Sequence, residues 1–350
     1  MLVLPFIFLS PLAGKFSVKY EKRKVMLIGK IAEIPIMMLA ALGFVFQSIY
    51  MVMGGVLLLG IQSSLFSPSK YGLIRDVGGE DGISFGTGTM EMLTFLGVLL
   101  GTFLASFISD HFSVIIVICL LIGVAILGLI STYLINANEP EAQKNYKESV
   151  NPIWFIKHSF KQARSIRGLN PVIFGLSFFW LVGALLQMDL KVYCPSVLHL
   201  SDFETGIVMV VAAIGIGLGC LITGLISKNK VKIVLVPIGA AGMIVFFALI
   251  YIVKPGAVLF GVFVFLTAFF SGMFKVPLNA WIQSNVKGRM LGDILAYENI
   301  CEFGFILISS LIFYLFDPQT VFVVLFALTL FIAIILFFRI PGLKESFQKL

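Results

Sequence analysis

Eleven apolar segments of near-membrane length, joined mostly by connections of a few residues, leave this chain one kind of place to fold. They run over 1–14, 25–46, 49–69, 84–109, 112–135, 171–193, 204–227, 233–253, 256–282, 293–315 and 319–340. A helix crossing about 30 Å of hydrocarbon needs about 20 such residues. Inside hydrocarbon only helices and closed barrels satisfy every backbone polar group. Charged residues make up 12% of the chain, against about 25% in soluble domains, too few to coat a water-facing surface. The 35 phenylalanines outnumber the 18 acidic residues. The expected fold class is an all-α polytopic membrane protein.

Basic residues sort the connections into two sets. One holds Lys15, Lys19, Lys22, Arg23 and Lys24, then Lys70 and Arg75, then six residues across 136–170. It continues with Lys228, Lys230 and Lys232, Lys287 and Arg289, and Arg339, Lys344 and Lys349 at the tail. The alternate set holds Lys254. The positive-inside rule places the 136–170 linker and the C-terminus in the cytoplasm. The net charge of +7 is thus a topology signal, and no nucleic-acid partner is expected.

The first segment offers 14 residues, about 21 Å of helix at 1.5 Å per residue, short for a span. One further helix upstream is expected in the natural protein or its relatives, which would give six spans, a linker and six spans. The division is 1–135 as an N-terminal bundle, 136–170 as a linker and 171–350 as a C-terminal bundle. Within the linker, Ile153, Trp154, Ile156, Phe160 and Ile166 recur at helical spacing opposite Lys157, Lys161, Arg164 and Arg167. Asn151 before Pro152 suits a helix start. This pattern fits a helix lying on anionic headgroups or a solvated linker.

Cys119, Cys194, Cys220 and Cys301 form no C-x-x-C pair, and His111, His158 and His199 have no partner at ligand spacing. Neither a metal site nor a cofactor is expected. Nucleophile triads, a His-x-x-x-x-Asp string and a phosphate loop do not occur, so no enzyme activity is expected.

The two halves echo each other. "SSLFSPSKYG" (63–72) ends the third segment and "GMFKVPLNAW" (272–281) the ninth, each with a Phe shortly before a proline. Each is followed by a span with an early carboxylate, Glu91 in one case and Glu298 or Glu302 in the other. Parallel repeats of this kind build one large transporter superfamily, with its binding site between the halves. "FSPSKYGLI" (66–74), "GTGTMEMLTFLGVLLGT" (86–102), "FFW" (178–180) and "VPLNAWIQ" (276–283) resemble the bacterial lysophospholipid transporters of the major facilitator superfamily. The same module precedes some acyltransferase–acyl-carrier-protein synthetase fusions. The resemblance implies a helical bundle of about 11 spans here, normally 12, in two pseudo-repeats. It implies flipping of lysophospholipid, such as 2-acyl-glycerophosphoethanolamine, across a bacterial inner membrane by alternating access. An acyltransferase or acyl-carrier-protein synthetase, fused or adjacent, is the implied partner beside membrane lipids. The alternative is a proton-coupled exporter of drugs or other small amphiphiles. One departure concerns the loop after Gly14, where the superfamily's carboxylate is replaced by Val18, leaving its helix-to-loop clamp unexplained.

Charges inside spans cost about 2.5–3.5 kcal/mol on insertion scales and tend to face a bundle interior. Lys30 and Glu33 are three apart and share a face, as a self-neutralising pair or a functional one. Asp189 and Lys191 sit near a span end, where snorkelling is easy. Glu91 has no basic residue within four positions, so its partner comes from another helix, with Lys30, Lys70 or Lys275 available. Glu298 and Glu302 are four apart, and one of them needs a proton or Lys275 to neutralise it. Lys275, Glu298 and Glu302 form the expected polar part of a substrate or proton site, or a pin between helices. Asn279 joins them through the family string. Pro68 and Pro277 are the expected helix breaks and gating points. Ser67 and Ser69 are placed to satisfy carbonyls freed by Pro68. Lys70 and Tyr71 then reach headgroup level as a first contact for a phosphate head, or as a plain anchor.

Overall fold

The computed structural model describes residues 3–111, 113–144, 146, 151–228, 230–288, 290–341 and 343, with backbone alone over 102–111. Arg289, Lys344, Lys349 and the C-terminus lie outside the described residues. Twelve helices follow one another: α1 Val3–Lys19, α2 Lys22–Val45, α3 Ile49–Gly78, α4 Ile83–His111, α5 Val114–Tyr133, α6 Pro152–Ala163, α7 Leu169–Val197, α8 Asp202–Ser227, α9 Leu235–Val253, α10 Ala257–Asn285, α11 Met290–Leu315 and α12 Pro318–Arg339. No strand occurs among the described residues. Ten of these helices are long and apolar enough to cross a membrane. The other two are α1, at 17 residues, and the short linker helix α6.

Local chemistry sets several helix ends. Asn151 accepts hydrogen bonds from the Ile153 and Trp154 amides at 3.0 and 3.2 Å, starting α6. On α6 the side chains Ile153, Trp154 and Phe160 are exposed while Phe155, Ser159 and Ala163 are buried, so its apolar face is left for an interface. Ile166 falls beyond the helix end. Ser201 and Glu204 form a reciprocal capping box at α8, and Asp317 caps α12 through Thr320. Those Thr320 hydrogen bonds hold the Asp317 carboxyl below its ordinary range.

α3 runs unbroken through Pro68 to Gly78. At 30 residues it is about 45 Å long, well beyond the hydrocarbon thickness. Lys70 and Tyr71 therefore sit inside a helix, with the Lys70 ammonium 5.5 Å from the Tyr71 ring centroid. Neither expected serine bonds a freed carbonyl: Ser67 donates to Asn299 at 3.4 Å, and the buried Ser69 hydroxyl has no partner. Pro277 is likewise buried within a continuous α10.

The chain divides into two compact units. One comprises Met1–Gly79, Leu100–Ala163 and Val286–Ile300; the other comprises Glu80–Leu99, Arg164–Asn285 and Cys301–Leu350. In the first, α2 packs on α3 and α5, and α1 on α3 and α6. A Cβ on Gly55 would stand 2.8 Å from that of Ala40, and one on Gly14 would stand 2.9 Å from that of Ala296.

In the second unit α10 packs on α8, α9 and α7, and α12 on α9 and α7. Along its apolar stretch α7 is 72% buried, against 6% for α5 of the first unit. Tyr193 stacks on Phe260 at 5.0 Å between centroids, and Phe322 meets the two rings edge-on at 5.0 and 6.0 Å. Lipid gives helices no hydrophobic reason to associate, so close backbone approach has to supply the attraction. Gly215, Gly219 and Gly272 supply it between α8 and α10: a Cβ on Gly215 would be 2.6 Å from the Phe265 carbonyl oxygen, and one on Gly219 would overlap that of Phe269. Gly97 and Gly101, spaced the same way, have nothing within 4 Å.

Overpacking a close contact costs about 1–3 kcal/mol, and each kcal/mol is worth a few degrees in a protein of this size. Gly219→Ala is expected to lower the melting midpoint in detergent by about 5 °C, with Gly97→Ala leaving it unchanged. Differential scanning fluorimetry of the two variants checks this.

Candidate functional site

Three helices bring ionisable groups together in the second unit, inside the hydrocarbon-spanning region, and a fourth, α7, adds aromatic rings. Lys275 of α10 is 1% exposed and Glu91 of α4 is fully buried. Their side chains meet at 2.6 Å, Nζ to Oε2. Three rings surround the ammonium: Trp180 and Phe179 of α7 at 4.5 and 5.0 Å, and Phe95 of α4 at 5.3 Å. A desolvated cation over an aromatic face gains about 2 kcal/mol per good contact, so the rings replace part of the lost hydration. Glu302 of α11 lies within electrostatic reach of both Lys275 and Glu91. The buried Trp180 indole N–H approaches Glu302 without closing a hydrogen bond. The cluster holds one amino group and two carboxyl groups.

The ion pair heads a polar seam between α10 and α4. Asn279 and Gln283 follow Lys275 at successive turns of α10, and Thr87 precedes Glu91 by one turn of α4. Gln283 donates to Asn279 at 2.9 Å and to Thr87 at 3.3 Å. Eight residues of α10 carry this seam over about 12 Å. Alongside it, Gly88 lets α4 touch α8, where an added Cβ would lie 2.7 Å from the Cys220 carbonyl oxygen.

The predicted residues fall into four places. Lys275, Glu91, Glu302 and Asn279 share this seam. Lys30 and Glu33 pair at 2.7 Å in the first unit, with Gln62 donating to Glu33 at 3.4 Å and Phe66 5.5 Å from the ammonium. Glu298 is buried in the first-unit part of α11, whereas the carboxylates around Lys275 are Glu91 and Glu302. Asp189 departs from the snorkelling expectation: it is fully buried with neither oxygen hydrogen-bonded, while Lys191 is exposed.

Sequence reasoning missed Phe95, Thr87 and Gln283, whose part depends on the register between α4 and α10. Phe179 and Trp180 were visible only as the "FFW" string. Asp293 was also missed; it is buried and accepts a hydrogen bond from the Tyr146 hydroxyl.

The clamp left unexplained by Val18 is built from other residues of the first unit. Lys22, 1% exposed, forms an ion pair with Asp76 near the end of α3. Glu139, from the segment after α5, accepts hydrogen bonds from the Lys22 and Arg23 amides at 2.5 and 2.9 Å. It thereby caps α2, whose own N-cap residue Glu21 makes no capping bond. The Arg23 guanidinium donates to the Tyr133 carbonyl at 2.6 Å, and the Gln143 amide to that of Val18 at 3.2 Å. The segment is a strap across the basic ends of α1, α2 and α3.

Removing one partner of a buried pair strands the other charge at a cost of about 3–5 kcal/mol. Lys275→Ala is therefore expected to lower the melting midpoint by about 10 °C, whereas Lys30→Ala, in a partly exposed pair, lowers it by less than 3 °C. Glu139→Ala removes a cap worth about 1 kcal/mol and is expected to speed proteolysis between residues 134 and 146. Thermal melts and timed trypsin or chymotrypsin digestion read these out.

Comparison with known proteins agrees with this architecture. The sequence model of the Major Facilitator Superfamily matches residues 1–306. The lysophospholipid transporter LplT of Photorhabdus laumondii is 26% identical over 310 residues, covering 86% of this chain and 74% of its own. That of Cronobacter sakazakii gives the same figures, and that of Yersinia enterocolitica is 23% identical over 305 residues, covering 86% and 72%. Among solved structures, the human organic anion transporter MFSD10 (TETRAN) superposes with a TM-score of 0.78 at 16% identity, covering 96% of this chain and 81% of that one. A bacterial homologue of the iron transporter ferroportin gives 0.74 at 13%, covering 96% and 87%. These structural likenesses concern the fold alone. The chain is a multi-pass membrane transporter and belongs to the Major Facilitator Superfamily.

Proposed function

We propose that this transporter carries lysophospholipid across a bacterial inner membrane, with the Lys275 cluster binding the headgroup. The names of its relatives support the substrate class. The observation that carries the reading is the Lys275 ammonium, held by one carboxylate among three rings at hydrocarbon depth. A phosphate is a strong charge-assisted acceptor. Arriving at Lys275, it takes the place of Glu91, and electrostatics in the low-dielectric interior make that exchange consequential. The freed Glu91, together with Glu302, then faces the ammonium of an ethanolamine headgroup. A zwitterionic head thus exchanges partners with an internal pair, so neither charge is stranded during the crossing. Asn279 and Gln283 offer amides along the route beneath.

In this reading two bundles, 1–135 and 171–350, flank the 136–170 linker, and the linker and the C-terminus face the cytoplasm. The basic residues gathered on one set of connections support that orientation. Delivered lipid has a free hydroxyl, which suits reacylation by an acyltransferase, fused or encoded nearby. Pro68 and Pro277, on corresponding helices of the two halves, mark where those helices flex, and Lys70 with Tyr71 makes first contact at the headgroup level.

A second reading, proton-coupled export of a small amphiphile, draws support from Glu302, the second carboxyl group of the cluster. The two readings separate in proteoliposomes. Labelled lysophosphatidylethanolamine is expected to cross at least tenfold faster with the protein than without it, with or without a pH gradient, and Lys275→Met abolishes the difference. Equal rates in protein-free vesicles would refute lipid transport; transport that appears only with a pH gradient and is lost in Glu302→Gln would favour the exporter.

A further inference from the structure

A cavity of about 490 Å³ lies between α1, α2 and α3 of the first unit. Its wall is apolar except for Tyr20 and Lys24 at one end and Gln62. Along α2 it runs from Lys24 to Ile36, twelve residues and thus about 18 Å of helix. One leaflet of hydrocarbon is about 15 Å deep, so the trough spans a leaflet from the basic end inward. Dividing volume by length leaves a mean cross-section of about 27 Å². That leaves room for a polymethylene chain.

Gly29 lines the trough. A Cβ there would meet Phe66 and Gln62 at 3.4 and 3.5 Å, ordinary contact distances, so a side chain at this position starts without a clash and extends toward the trough. Charge at the mouth matches a phosphate. The Lys24 ammonium is well exposed and pairs with the exposed Glu21 at 2.8 Å, and the Lys19 ammonium stands 5.7 Å from the Tyr20 ring. Tyr20 supplies an amphipathic ring at that level, as residues at membrane interfaces do.

We infer that this trough binds one acyl chain of an anionic diacyl glycerophospholipid from the leaflet bordering the basic loops, with its phosphate at Lys24 and Lys19. The lipid is a resident of the first unit and does not depend on what the Lys275 cluster transports.

The test uses the full-length protein in nanodiscs containing phosphatidylglycerol with a photoactivatable diazirine on one acyl chain. Label is expected on peptides holding Ile28–Ile36 and Leu58–Leu65, enriched at least fivefold over the exposed α9 side chains Val245 and Ile252. Gly29→Leu, checked for an unchanged melting midpoint, fills the trough and removes that enrichment; Ala32→Phe does the same should Gly29→Leu melt early. Lys24→Gln lowers the preference for phosphatidylglycerol over phosphatidylcholine about fivefold, the share of one surface lysine. Even labelling of all lipid-facing helices, or labelling that survives both filling variants, overturns the inference. Displacement by lysophosphatidylglycerol but not by the diacyl lipid also overturns it, giving the trough to a single-chain lipid.

Discussion

A lysine held at hydrocarbon depth is the constraint around which the second unit is organised. An ion pair taken out of water loses hydration worth several kcal/mol per ion, and the pairing regains it only with good geometry and further polar or aromatic neighbours. Lys275 has both, a carboxylate at 2.6 Å and three rings within 5.3 Å. Each neighbour comes from a helix that must be in register for the pair to be satisfied. The position of α4 against α10, and of α7 beside both, follows from this. Glu302 adds a second carboxyl group within electrostatic reach of the pair.

The rest of the unit makes such a cluster affordable. Glycines at 88, 215, 219 and 272 bring backbones into contact, which is the attraction available to helices in lipid. Dense packing around the seam keeps lipid away from the polar residues. The first unit shows the same economy at its basic end, where Lys22 is buried against Asp76 and Glu139 caps α2 from a segment 117 residues away. Asp76 and Glu139 supply the carboxylates at that end.

What could be read from residues alone divides along physical lines. Span positions were legible because hydrocarbon thickness fixes helix length, and α2, α5, α9 and α12 lie within a few residues of their apolar segments. The linker helix was legible from Asn151, whose capping role depends on neighbours two and three positions on. Pro68 was expected to break its helix, whereas α3 stays helical through it, with Pro68 buried. The site was half legible. Glu91 was recognised as needing a partner on another helix, and Lys275 was among those named, but which carboxylate Lys275 takes is a matter of register, and no local pattern encodes that. Glu139 and the aromatic walls lay out of reach for the same reason, and so did the burial of Asp189.

The central claim is that the Lys275–Glu91 pair works on the substrate and is more than a pin between helices. The double variant Glu91→Met/Lys275→Met separates the two roles, because a buried pair replaced by apolar residues of similar size is commonly neutral or stabilising. Its folding and its lipid flipping can be measured on the same purified sample. A melting midpoint at or above that of the parent, together with loss of lysophospholipid flipping, is the predicted result. A folded double variant that flips lipid at the parent rate would contradict it.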